Sequence, residues 1–166
     1  IAYSGCEGEN ALRFELAPGA EMLGWDVLAL GLPAAEQPFV RGRYRQQLEV
    51  AGRWLERGVI AADDSVLLDS PLGLDGDPVL GTLWFAAGAP LAAARREALL
   101  DAARAEYASH DLARRAGATA PNDAVVLLRA VAPRVEPLMD LFKAVRQRWR
   151  SEAWGLEAAA PRIWTT

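Results

Sequence analysis

The sequence has few of the residues that form disulfides and metal cages. It contains one cysteine, Cys6, and one histidine, His110, among 166 residues. One cysteine excludes a disulfide within the chain, and a closed zinc site cannot form because it takes four ligands, mostly cysteine and histidine. A single cysteine is also typical of proteins from a reducing compartment, so we expect a cytoplasmic protein with no tightly bound metal.

The sequence also lacks long apolar runs and an excess of basic charge. Its apolar runs fall well short of the ~18–20 residues of a membrane span, and its net charge of −4 argues against nucleic-acid binding. Hydrophobic residues make up 52% and charged residues 24% of the chain. This composition predicts one globular domain over residues 1–166, with neither membrane nor nucleic acid as a partner.

The first half of the chain has the period-2 pattern of β-strands. Strands are predicted at residues 11–16, 21–30, 39–50, 54–60, 66–68 and 79–87. The run at 79–87 is almost continuously apolar, as expected for a strand buried on both faces. Ile1-Ala2-Tyr3 is typical of a strand interior and follows no initiator methionine, so we expect the chain to be part of a longer protein.

The second half changes to helical periodicity. Helices are predicted at 91–107 and 133–150, with a loop at 117–123 and a strand at 124–131 between them. Pro137 suits a first helical turn, and Gly155 is a typical helix terminator. The fold class is therefore predicted to be mainly β (α+β), with two α-helices in the C-terminal half.

Catalytic motifs are weak in this sequence. None of the serines lies in a Gly-x-Ser-x-Gly turn, and neither glycine-rich turn (5–8 or 73–76) is followed by the Lys-Ser/Thr of a phosphate-binding loop. A hydrolase would need Cys6 or a serine beside His110, which the pattern places at a helix end. The sequence favours a non-enzyme, and the alternative is a small-ligand-binding β domain or a hydrolase that uses Cys6 and His110.

Three arginines alternate along one predicted strand. Arg41, Arg43 and Arg45 share one face of the segment 39–50. Like charges on one strand face repel each other unless they are solvated or paired. The interpretations are a solvated face or a surface that binds an acidic protein partner, while the acidic overall balance disfavours nucleic acid.

Three carboxylates lie within apolar strand segments. Asp26 interrupts Trp25-Asp26-Val27-Leu28, and Glu49 and Glu56 each follow a leucine. A carboxylate among apolar groups is costly unless it is hydrated, paired or bound to a cation. Strict alternation would let each of them face solvent. Otherwise they line the interior or an interface, where hard oxygen ligands can hold a divalent ion loosely.

Several motifs occur together in a specific order. They are Ala17-Pro18-Gly19-Ala20, Trp25-Asp26-Val27-Leu28-Ala29-Leu30-Gly31 with Pro33, Phe39 with Gly42, Leu48-Glu49-Val50, Leu55-Glu56-Arg57, Val79-Leu80-Gly81-Thr82-Leu83 and Pro161-Arg162-Ile163-Trp164-x-Thr166. With this order and this C-terminal signature, the chain resembles the C-terminal portion of a urease accessory protein of the UreD/UreH family. Leu32 departs from the pattern, since the family usually has arginine there.

The resemblance implies a fold and a function. It implies stacked β-strands in a β-helix-like body, and a non-catalytic scaffold for maturation of the nickel centre of urease. The implied partners are the urease apoprotein, a helical accessory protein of the UreF type and, through it, a GTPase of the UreG type. Asp26 and Glu56 match acidic positions of a nickel route, and Glu49 is a weaker candidate, so nickel would be bound only transiently.

Partner contacts are expected at two further places. These are the arginine face (Arg41, Arg43 and Arg45) and the C-terminal Trp164, whose apolar surroundings indicate that it packs or docks rather than frays. A third, structural interpretation is a piece whose functional surface lies elsewhere in a longer protein.

Overall fold

The chain builds two β-sheets and a layer of helices. The computed structural model describes residues 1–157 and 159–165, so Thr166 of the C-terminal motif lies outside the described part. The strands are β1 (Cys6–Phe14), β2 (Glu21–Ala29), β3 (Gly42–Val50), β4 (Trp54–Ala61), β5 (Val79–Ala87), β6 (Ala116–Thr119) and β7 (Val125–Ala132). The α-helices are α1 (Ser65–Asp69), α2 (Ala93–Ala108) and α3 (Val135–Trp154), and short 3-10 turns lie at Pro33–Ala35 and Arg162–Thr165. This confirms the mainly β, α+β class with α2 and α3 in the C-terminal half.

At the start of the chain, the backbone winds from one sheet to the other and back. One sheet has three strands in the order β1-β3-β4, and the other has four in the order β2-β5-β7-β6. The chain leaves the first sheet after β1, crosses to β2 in the second, and returns to place β3 parallel to β1. This is one turn of the expected β-helix-like stack. All other pairs of neighbouring strands are antiparallel.

Strand β5 forms the centre of the molecule and is buried on both faces. Leu83 and Phe85 pack in the cluster under α2 and α3, while Trp84 and Ala86 pack against the three-stranded sheet. Alternation of side chains across a strand produces this division. The nearly continuous apolar run predicted for a doubly buried strand is thereby confirmed.

Helix α3 covers the outer face of the four-stranded sheet. Its fully buried stripe includes Leu138, Phe142 and Trp149, and the Trp149 Nε1 donates a hydrogen bond to the Leu99 carbonyl at 2.7 Å. Gly81 permits this packing, since a Cβ there would lie 2.9 Å from both Leu138 and Phe142 side chains. Gly155 ends the helix with φ 61°, as predicted.

Two short elements differ from the sequence prediction. The prediction of a strand at 66–68 is wrong: this segment is part of α1, because the Asp64 carboxylate caps it by accepting from the Leu67 N–H at 3.0 Å. The prediction of a loop from residue 117 is also wrong, since Ala116–Thr119 forms edge strand β6 beside β7. Its Ala-Gly-Ala-Thr sequence has little intrinsic strand preference, so the pairing with β7 decides its conformation.

Candidate functional site

Polar side chains occupy the middle of the space between the two sheets. Apolar clusters lie on both sides of them: one contains Leu48, Trp54 and Trp84, and the other contains Leu28 and Ile60. We call the polar set between these clusters the polar row. Its members are Asn10, Asp26, Gln46, Glu56, Thr82 and Arg129.

Asp26 is tied across the sheets by two amides. Its Oδ1 accepts from the Asn10 Nδ2 at 3.0 Å, and its Oδ2 accepts from the Gln46 Nε2. Burial is the main cause that raises the pKa of Asp26, while the amide donors lower it and the negative charge of Glu56 raises it. Asp26 has no ion-pair partner within the described residues, and both of its hydrogen-bond donors are neutral amides.

Glu56 and Arg129 form an ion pair between the sheets. Glu56 lies on β4 and Arg129 on β7, and the Arg129 guanidinium donates to Glu56 Oε2. Arg129 is the register partner of Thr82, which is in turn the register partner of Asp26. The two predicted carboxylates, Asp26 and Glu56, therefore share one interior space. The negative charge of Glu56 is one of the causes that raise the pKa of Asp26, which agrees with this proximity.

The polar row opens to solvent in a cleft. This cleft has a volume of about 340 Å³, and Glu56, Thr82 and Arg129 are among the residues that line it. The loop around Gly73 and the segment that contains Arg114 also line it. The cleft gives a small ion or a partner side chain access to the interior.

The structure places Glu49 away from the other two carboxylates. Glu49 lies on the outer face of the three-stranded sheet, where it pairs with Arg13 and accepts from the Gln47 Nε2 at 3.4 Å. Its register partner is Leu55, which is 53% exposed, whereas the partner of Glu56 is the buried Leu48. The alternation of β3 and β4 thus directs Glu49 outward and Glu56 inward.

The arginine face is exposed but carries mixed charge. Arg43 lies opposite Glu7 and Arg45 opposite Glu9 on the parallel strand β1, while Arg41 precedes β3. The three arginines are exposed. Alternating opposite charges suit a solvated face, and binding of an acidic partner to this face stays a prediction.

Trp164 packs within the chain. Its ring lies 5.2 Å from the Trp25 ring, centroid to centroid, and the Arg146 guanidinium lies 4.9 Å from its centroid. The C-terminal turn is therefore docked on β2 and α3, which confirms that this end of the chain packs. Contact of Trp164 with a partner stays a prediction.

Cys6 and His110 are in different layers of the molecule. Cys6 is on β1, where its Sγ lies 3.9 Å from the Arg43 carbonyl, and His110 follows α2, where its Nδ1 accepts from the Leu112 N–H at 3.1 Å. The pair that the hydrolase alternative needs is therefore not assembled. In addition, no group of three or more His, Cys, Asp or Glu residues in the described part of the chain has the geometry to hold a metal ion.

The sequence analysis missed the neutral and cationic members of the polar row. Asn10, Gln46 and Thr82 look like ordinary solvent-facing residues of amphipathic strands. Arg129 gave a signal, because it interrupts the apolar strand 124–131 in the same way that Asp26 interrupts its own strand. Charged residues that interrupt buried strands were thus the informative pattern.

Asn in place of Asp26 is expected to stabilise the protein at neutral pH. Because the pKa of Asp26 is raised in the folded state, its contribution is favourable at acidic pH and is lost as pH rises through the folded pKa. The Asp26→Asn variant should therefore have a higher free energy of unfolding than the wild type at pH 7, and a smaller gain at pH 4. Urea denaturation at pH 4 and 7 measures this, and an equal gain at both pH values would contradict it.

The fold and the site together define a class of protein. It is a β-rich, two-sheet protein in which Asp26, Glu56 and Arg129 line the space between the sheets. No described helix combines the length and the apolar character that crossing a membrane requires.

Comparison with known proteins identifies the family. The family model described as "UreD urease accessory protein" matches residues 1–165, and the chain belongs to this family. It is 56% identical over 166 residues to the urease accessory protein UreD of Variovorax paradoxus, and equally to that of Leptothrix cholodnii. A third relative of the same name, from Methylibium petroleiphilum, is 53% identical over 179 residues. The chain spans 60% of the length of each of these relatives, as expected for a portion of such a protein.

Proposed function

We propose that this chain is part of a scaffold for urease maturation, and that nickel ions pass along its polar row towards the urease apoprotein. Membership of the UreD family supports the maturation role. The observation that supports the nickel route is that strand register and the Arg129–Glu56 ion pair bring Asp26 and Glu56 into one interior space, with Glu56 on the lining of the cleft.

The chemistry of the polar row suits transfer better than storage. Carboxylate and amide oxygens are hard ligands, and they hold a transition-metal dication less tightly than histidine and cysteine do. Asp26 offers a carboxylate with two neutral amides beside it, and Glu56 offers a second carboxylate, paired with Arg129, nearer the cleft. Two such carboxylates allow an ion to be bound at one of them and then released to the other.

The scaffold role requires partner contacts. We propose the urease apoprotein as one partner and a UreF-type helical protein as another, with a UreG-type GTPase attached through the latter. The exposed Arg41, Arg43 and Arg45 are proposed to contact an acidic surface of a partner. The free thiol of Cys6 fits action in the cytoplasm.

The proposed route is tested by the double variant Asp26→Asn, Glu56→Gln. It is co-expressed with urease and the other accessory proteins, and the nickel content of purified urease is measured by mass spectrometry. We expect the nickel content to fall about tenfold, because cation affinity follows the number of charged ligands. Co-purification of the accessory complex should be unchanged, because neither side chain lies on the exposed outer faces.

Glu49→Gln is the matched control for this experiment. It makes the same chemical change on the outer face of the same sheet, where Glu49 pairs with Arg13. Its urease should have the wild-type nickel content. Wild-type nickel loading by the double variant, or an equal loss with Glu49→Gln, would count against the route.

A further inference from the structure

Three guanidinium groups surround the cleft. Arg114, Arg115 and Arg129 all line it. Arg115 is engaged by Asp77, which is only 6% exposed, and Arg129 is engaged by Glu56. Arg114 is exposed and has no ion-pair partner among residues 1–157 and 159–165. Arg114 therefore brings a guanidinium without an ion-pair partner to a cleft whose lining also includes the Asp75 carboxylate.

The pair of Arg129 and Glu56 closes this entrance electrostatically. The two residues belong to opposite sheets, so their ion pair spans the gap between β4 and β7. A guanidinium at this position neutralises Glu56 and repels an approaching dication. The side chain of Arg129 is 50% exposed, so it can turn towards solvent if another carboxylate competes for it.

The surroundings of the cleft fit a peptide carboxylate. Both engaged arginines already bind carboxylates, and a planar guanidinium matches that group well. Leu80 and Val131 give the cleft an apolar wall. The neighbouring Leu72 is 100% exposed and lies between Pro71 and Gly73, which both line the cleft. An apolar wall and an exposed leucine suit a protein segment better than a free phosphate, which has no apolar surface to bury against them.

We propose that this cleft binds an acidic segment of a partner protein, and that a carboxylate of that segment pairs with Arg129 in place of Glu56. The Glu56 carboxylate is then free to bind a cation, which opens the polar row to nickel. The docking half of the proposal is independent of nickel. The opening half rests on the proposed function. Arg129 is a positioning residue in this account, because it acts on the ion through Glu56.

The docking half is tested with a hexaglutamate peptide and the full chain, by titration calorimetry without metal. Arg114→Gln and Arg129→Gln should each weaken binding about fivefold, and higher salt should weaken the wild type further. Arg104→Gln is the matched control, because Arg104 is an exposed arginine on α2 that pairs with Asp101 outside the cleft. An equal loss in all three variants, or tighter binding of inorganic phosphate than of the peptide, would overturn the docking site.

The opening half is tested by the affinity for nickel alone. Arg129→Gln should bind nickel about fivefold more tightly than the wild type, since the cation then meets a free Glu56 carboxylate. Adding Glu56→Gln should abolish the gain, and thermal melts check that each variant is folded. Unchanged affinity in Arg129→Gln overturns the opening. If Arg129→Gln leaves the affinity unchanged but Glu56→Gln alone weakens nickel binding, the opening is wrong and the proposed nickel route is retained. If neither variant changes the affinity for nickel, both the opening and the route are wrong.

Discussion

Alanine in place of Gly24 is expected to lower the free energy of unfolding by about 2–3 kcal/mol, because it overpacks the space between the sheets. A Cβ at this position would lie 2.4 Å from Cζ2 of Trp84. The indole is 1% exposed and its ring lies 5.8 Å from those of both Phe14 and Trp54, so it has no room to withdraw. Urea denaturation of the purified chain measures the loss.

Gly58 provides the matched control for Gly24. It also lies within a strand, β4, but a Cβ there would have no atom within 4 Å. Gly58→Ala should change the free energy of unfolding by less than about 0.5 kcal/mol, or raise it slightly, since alanine restricts the unfolded chain. Equal destabilisation by both variants would show that backbone freedom, and not the contact with Trp84, decides the effect.

Glu21→Ala is expected to cost about 2–3 kcal/mol of stability, because this carboxylate joins three elements by charged hydrogen bonds. Glu21 begins β2, and it accepts two hydrogen bonds from Arg95 on α2 and one, at 2.7 Å, from the Trp154 Nε1 at the end of α3. Removing it leaves the Trp154 Nε1–H without its acceptor and leaves Arg95 with the Ala153 carbonyl, at 2.9 Å, in place of a charged partner. Glu15→Ala is the control, since Glu15 is 76% exposed and pairs with Arg13 at the surface.

The cost of Glu21→Ala should depend on pH. The hydrogen bond from Arg95 is the main cause that holds the pKa of Glu21 below its ordinary value of 4.5. A lowered pKa in the folded state means that the stabilisation is complete above pH 4.5 and is lost as pH falls through the folded pKa. Unfolding curves at pH 7 and pH 3 should therefore show a smaller difference between variant and wild type at pH 3. A constant difference would contradict the account.

Local sequence patterns were sufficient to predict the main elements of the fold. The run 79–87 predicted a doubly buried strand, and the helical stripe with Gly155 predicted α3 and its end. The first depends on a continuous apolar run, and the second on helical periodicity and a glycine at a left-handed position, all of which are local properties. The pairing of β6 with β7 and the N-terminal cap of α1 depend on neighbours that short windows do not show.

The site was predictable only in part, for a physical reason. Asp26 and Glu56 were found because a charge within an apolar strand is costly unless it has partners. The partners were not found, since Glu56 and Arg129 are separated by 73 positions in sequence. Glu49 and Glu56 looked alike in sequence, and only the pairing of β3 with β4 shows that they lie on opposite faces.

The most direct test of the nickel route is anomalous diffraction at the nickel edge from crystals of the protein soaked with nickel. The account predicts an anomalous peak within the polar row, beside the carboxylate oxygens of Asp26 or Glu56, that disappears in the Asp26→Asn, Glu56→Gln variant. Nickel bound only outside the row, for example at His110, with the same map in the variant, would contradict it.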